Sequence, residues 1–138
     1  QCNQPVCQTD ILATLAAITE NQLAANEGED SFSFSPVLNN PNAKMNRGPM
    51  IHHSASGGFA IRDGDWKLVM ETAKSKRQLY NLAKDPSEQD NVLQQNLDIA
   101  KKLHAEITEI VANGRSTRGT PQANDTPWWN HLIWMDKF

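Results

Sequence analysis

His52 and His53 stand side by side ahead of a Ser- and Gly-rich stretch, SASGG, and are the residues best placed to touch a ligand. Adjacent residues in a strand point to opposite faces. The two therefore do not share a metal, and no Cys, Asp or Glu stands beside them at ligand spacing. One of them, with Ser54 and Ser56 on a flexible loop, can contact a ligand. His104 lies beside Leu103 in a helical pattern and reads as a partly exposed helix histidine; His131, among aromatics, reads as structural. The carboxylates read as caps, turns and solvated faces: Asp10, Asp85 and Asp98 near helix starts, Asp63 and Asp65 around a glycine, and Glu106 paired at i,i+4 with Lys102. No acid/base pair is nominated. Gly57 and Gly58 lack the lysine and helix of a phosphate loop. GRSTRG, residues 114–119, reads equally as a weak anion-site signal and as a loop leaving a helix.

Cys2 and Cys7 are the only cysteines. Paired, they would close a very short loop, and two thiols in this length do not make a disulfide scaffold. Cys7 reads instead as a small hydrophobe near a helix start and Cys2 as an incidental thiol. The chain's 138 residues suffice for one modest core. With 38% hydrophobic residues, 21% charged residues and a net charge of -3, it offers no electrostatic case for nucleic acid. No apolar run reaches the length of a membrane span, which takes roughly 18 residues. No basic leader precedes a hydrophobic stretch at the start, so a signal peptide is either absent or already removed.

The elements that must position these residues follow from periodicity. TDILATLAAI, 9–18, predicts a short helix capped by Thr9 or Asp10, with Ile11, Leu12, Leu15 and Ile18 in one apolar stripe that needs a partner surface. Residues 20–49 are rich in Asn, Ser, Gly and Pro without periodicity, too long for an ordinary connection. Met50 to His53 predicts a strand. FAIRDGDWKLVM, 59–70, predicts a hairpin with Asp63 and Gly64 at a type I′ turn, pairing Ile61 with Trp66 and Phe59 with Leu68. Phe59, Ile61, Trp66, Leu68 and Met70 then share one face. QLYNL predicts a further strand, and KDPSEQDN a capping box in which Asp85, Pro86 and Glu88 start one turn of helix. NLDIAKKLHAEITEIVANG predicts the longest helix, with Leu97, Ala100, Leu103, Ile107 and Ile110 on one side and Gly114 just past its end. The segment 114–138 carries three of the four tryptophans and is expected to pack on a core or a partner.

In order, VCQTDILATLAAI, EDSFSFSPVL, IHHSASGGFAIRDGDWKLVM, QLYNLAKDPSEQDNV and GRSTRG with ND resemble the C-terminal third of arylsulfatases, within the bacterial arylsulfatase A-like branch of the alkaline-phosphatase-like superfamily. The resemblance runs from about Val6 to Asp125, and the hairpin together with QLYNLAKDPSEQ is its most specific part.

It implies an α+β class. A small antiparallel sheet of 3–4 strands packs on one long C-terminal helix, and a short helix and long crossing segment belong to a larger α/β catalytic domain. The implied divisions are 1–49 for the helix and crossing segment, 50–113 for the C-terminal subdomain and 114–138 for the aromatic-rich tail. The family hydrolyses sulfate esters with a formylglycine, made from a cysteine in C-x-P-x-R, and a calcium ion. Neither Cys2 nor Cys7 lies in that motif, and the calcium aspartates and catalytic lysines and histidine lie upstream in the family. Calcium and formylglycine are thus implied for the full-length enzyme only, and the chain alone is expected to lack turnover. What carries over is the substrate entrance, with His52, His53 and Arg47 as contacts. The implied partner is the N-terminal catalytic domain, with self-association through the exposed apolar face when it is missing. No nucleic acid or membrane partner is implied, and the location is periplasmic or secreted. The other reading is a stand-alone, non-catalytic binding or structural protein built on the same subdomain. The first reading leaves Leu12, Leu15 and the Trp128–Trp129 region exposed; the second buries them.

Overall fold

The computed structural model describes residues 2–123, 131–135 and 138. Four strands form one antiparallel sheet in the order β1 (Met50–His53), β2 (Phe59–Asp63), β3 (Trp66–Val69) and β4 (Gln78–Asn81). Alternation of apolar and polar residues puts Phe59, Ile61, Leu68, Met70 and Leu79 on one face, where all five are buried. Ala100, Leu103 and Ile107 of α3 (Leu97–Asn113) join them in one core, with Trp134. Ile61, Leu68, Met70, Leu79, Ile107 and Trp134 are wholly excluded from solvent. Each of these aliphatic side chains contributes about 1.5–3 kcal/mol by burial. The architecture is α+β: a four-stranded antiparallel sheet packed on one long helix.

The central hairpin differs from its expected register. Ile61 lies opposite Leu68, Arg62 opposite Lys67 and Asp63 opposite Trp66, so Gly64 and Asp65 form the turn. Gly64, at φ 56°, takes the first central position, the place where a type II′ turn requires glycine. Asp63 remains in the strand and accepts from Lys102 Nζ at 3.1 Å. The shift moves each partner by two residues, which preserves the buried face. It also sets Ile61 against the fully buried Leu68 instead of the half-buried Trp66.

The expected helical turn after Asp85 does not form. Asp85 Oδ2 accepts from Asp90 N at 2.8 Å, closing a wider turn, and Glu88 takes φ 56°. Both Glu88 oxygens accept from Lys67 Nζ, at 2.7 and 2.8 Å, so the carboxylate that would complete a capping box is held by the sheet. A 3₁₀ turn at Leu93–Gln95 leads into α3 instead.

The chain divides into two compact units, one of residues 1–48 with 113–123 and the other of 49–112 with 124–138. The first holds α1 (Asp10–Ile18) and α2 (Ser35–Asn39), the latter absent from the sequence expectation and started by Pro36 in its first turn. α1 is oriented with its polar side inward. Asp10 and Thr14 are its buried residues, while Ile11, Leu12, Leu15 and Ile18 are each about half exposed. Thr14 Oγ1 donates to the Asp10 carbonyl at 2.6 Å and accepts from Phe34 N at 3.0 Å. Ser31 Oγ accepts from Ala13 N at 2.8 Å. Hydrogen bonds, rather than apolar burial, tie this helix to its own unit. Trp128 and Trp129 lie outside the described residues.

Arg115 is 7% exposed and donates to the carbonyls of Ala25, Thr117, Arg118 and Thr120. Its guanidinium is thus enclosed by backbone dipoles, and GRSTRG is the loop that wraps it.

Candidate functional site

β1 is an outer strand of the sheet, and its last two residues, His52 and His53, are exposed. His53 lies opposite Phe59 and stacks on its ring with centroids 4.5 Å apart. His52 lies opposite Ala60 and projects to the other face. The turn joining β1 to β2 is closed by its own hydrogen bonds. Ser54 N donates to Gly58 O at 2.8 Å, Gly57 N to Ser54 O at 2.9 Å and Gly58 N to Ser54 Oγ at 2.9 Å. Ser54 Oγ and Ser56 Oγ are 3.0 Å apart. Two imidazoles and two hydroxyls therefore border one exposed turn, a set able to donate hydrogen bonds to an anionic or hydroxyl-rich ligand.

Arg47 sits in the other unit and is engaged. Its side chain is 7% exposed; Nε donates to Asp10 Oδ2 at 3.0 Å and Nη2 to Asp10 Oδ1 at 3.1 Å. Nη1 donates to Gly48 O at 3.0 Å, and the guanidinium carbon lies 5.1 Å from the Phe32 ring centre. The two Asp10 oxygens also accept from Cys7 N at 2.8 Å and Phe32 N at 3.1 Å. This carboxylate, which from the sequence reads as a first-turn residue of α1, is a buried hub joining three segments. No sequence signal marks it, because its partners stand 3, 22 and 37 residues away. Cys7 beside it is a free thiol, held below its ordinary pKa chiefly by a hydrogen bond from the Thr9 side chain and then one from the Thr9 backbone.

His104 Nε2 lies 2.7 Å from the Trp134 carbonyl and so donates to it; its ring also meets those of Trp134 and Phe138 edge-on. A shallow cleft of about 370 Å³ lies near Phe138, lined by Glu71, Arg77, Leu93 and Leu97 among others. Arg77 in it is bound at both Nε and Nη2 by Glu71, at 2.7 and 2.9 Å, and packs 4.5 Å from the Phe138 ring centre. Among the described residues no three His, Cys, Asp or Glu side chains come together as a metal group. Nor does either cysteine carry the sequence around it that formylglycine formation needs. These residues do not fit calcium or formylglycine. Among the described residues no helix is long and apolar enough to cross a membrane.

No family model matches the chain. An N-acetylgalactosamine-6-O-sulfatase of Bacteroides thetaiotaomicron is 29% identical over 118 residues, covering 75% of this chain and 23% of that protein. A solved sulfatase from a glycosaminoglycan-metabolising locus of the same organism is 27% identical, with a TM-score of 0.64 over 74% of this chain and 24% of its own. The structure of Ps i-CgsB bound to k-i-k-neocarrahexaose shares the fold at 22% identity, with a TM-score of 0.63, covering 86% of this chain and 27% of its own. The chain thus spans about a quarter of the length of the relatives it matches. In sequence and in fold, it is linked to bacterial sulfatases through one part of their length.

Proposed function

We propose that this chain is the C-terminal part of a larger sulfatase, an arylsulfatase A-like hydrolase of sulfate esters, and that it is inactive alone. The observation that carries this reading is the asymmetry of the match: 75% of the chain aligns with 23% of a sulfatase. The orientation of α1 supports it, since half-exposed Ile11, Leu12, Leu15 and Ile18 form a surface suited to burial against further protein. That protein is the N-terminal catalytic domain, which supplies the activated nucleophile and the charge stabilisation that sulfate-ester hydrolysis requires. Calcium and formylglycine belong there.

Residues 1–49 then complete the catalytic domain, and residues 50–113 form the C-terminal subdomain. His52 and His53 contact substrate at the entrance, while Arg47, bound to Asp10, positions the crossing segment. The substrate is a sulfated saccharide, in keeping with the N-acetylgalactosamine-6-O-sulfatase and glycosaminoglycan context of two of the relatives. The full protein acts in the periplasm or outside the cell.

The test joins intact mass and N-terminal sequencing of the native protein to a sulfatase assay on a sulfated saccharide. The expected result is a larger protein containing C-x-P-x-R that releases sulfate, beside a 138-residue chain that releases none. A native protein that starts near Gln1 and lacks turnover would overturn the reading and leave a stand-alone binding protein.

A further inference from the structure

Gly57 is buried although Ser54, Ala55 and Ser56 beside it are exposed. The cover is a residue from far along the chain. A Cβ at position 57 would lie 2.5 Å from Cγ, Cδ2 and Cε1 of His131, so the imidazole lies directly against the glycine. Gly57 also has φ 87°, which makes glycine doubly necessary here. Three residues beyond His131, Trp134 is wholly buried. Its ring centre is 5.8 Å from that of Phe59, and Phe59 carries the His53 stack. His104 donates to the Trp134 carbonyl and fastens this stretch to α3.

We propose that His131 is a positioning residue. Its ring presses the β1–β2 turn into shape, and Trp134 braces the same region through Phe59, so that His52, His53, Ser54 and Ser56 are preset for a sulfated saccharide. The positioning is a property of this chain; the ligand rests on the sulfatase reading above. Among the described residues the outer side of β1 has no neighbouring strand in the sheet, and the turn's own hydrogen bonds span only five residues. Contact from the tail therefore limits how far the turn can swing. A flat ring against a glycine backbone suffices for this, and no proton transfer by His131 is involved.

The test compares His131→Ala with His131→Phe. In this chain, amide hydrogen exchange at residues 54–58 should quicken roughly three- to tenfold in His131→Ala, the range expected for loss of one well-packed ring. His131→Phe should stay within about twofold of the parent. Amides of Leu103 and Ile107 in α3 serve as the control for general unfolding. In the native enzyme, His131→Ala should raise KM for the sulfated saccharide by a comparable factor while kcat changes little. Unchanged exchange at 54–58 in His131→Ala overturns the positioning role, as does His131→Phe behaving like His131→Ala. Quickened exchange with unchanged KM overturns the link to substrate. A native protein without sulfatase activity is a different failure, that of the proposed function, and leaves the exchange result to decide the positioning.

Discussion

Asp10→Ala would leave the Arg47 guanidinium, 7% exposed, facing a site that had held its countercharge. Asp10 accepts from Arg47 Nε and Nη2 and from the backbone amides of Cys7 and Phe32, so the substitution removes the countercharge of a buried cation and the acceptor of two N–H groups together. Breaking one side of a buried pair costs about 3–5 kcal/mol, and Asp10→Ala belongs at the upper end. Arg47→Ala leaves the carboxylate its two backbone donors and belongs at the lower end, about 3 kcal/mol. Replacing both, as Asp10→Ala with Arg47→Ala, removes the charges together and should cost less than the sum of the single changes. The coupling should reach about 1–3 kcal/mol.

Two compact units need not melt in one transition. Urea unfolding should therefore be followed through hydrogen exchange of the Phe34 amide, which bonds to Thr14 of α1 and keeps its acceptor in every variant. Single variants within about 0.5 kcal/mol of the parent, or an additive double variant, would refute the structural account.

Leu12→Glu and Leu15→Glu alter half-exposed positions and should change the chain's own stability by less than about 0.5 kcal/mol. The same changes in the native protein should weaken attachment to the catalytic domain, read as faster limited proteolysis and lower sulfatase activity. Trp134→Ala removes a wholly buried ring and should cost about 3–5 kcal/mol in a denaturant melt followed at the β2–β3 amides. Cys7 should alkylate with a pH profile displaced below that of an ordinary thiol, and Thr9→Val should move the profile back up. Because folding lowers this pKa, the folded chain binds fewer protons between its own value and the unfolded one. Stability from Cys7 therefore rises with pH across that window and is lost as the pH falls through the folded value.

The sheet and the long helix were legible because their signals are local. Alternation over 59–70 selects one buried face, and that face survived an error in the turn because a two-residue shift keeps every side chain on its side. The turn differs because DGD offers the glycine to either central position; the register that forms pairs Ile61 with Leu68 inside the hairpin and leaves Asp63 to Lys102 outside it. The capping-box reading at Asp85 failed for a similar reason, since Lys67 claims Glu88 from 21 residues away. His52 and His53 were legible as a pair at the end of a strand, because a histidine doublet before a Gly–Gly turn stands out locally. The roles of Asp10, Arg47 and His131 were not, since each is defined by a partner 37 or more residues distant.

The interleaving of the two units bears on the order in which the chain can be completed during synthesis. Ser116 and Thr117 bond to Asp30 and Glu29, across 86 and 88 residues. At the usual pace of translation, roughly 5–20 residues per second, those partners arrive about 4–17 s after the segment that awaits them. All four strands lie between, within residues 50–81, and can pair as soon as they leave the ribosome. The inward polar side of α1 and the enclosure of Arg115 belong to a unit that closes late. Until Ser116 and Thr117 are made, the Asp30 carboxylate and the Glu29 carbonyl lack these partners, although the sheet can already be paired.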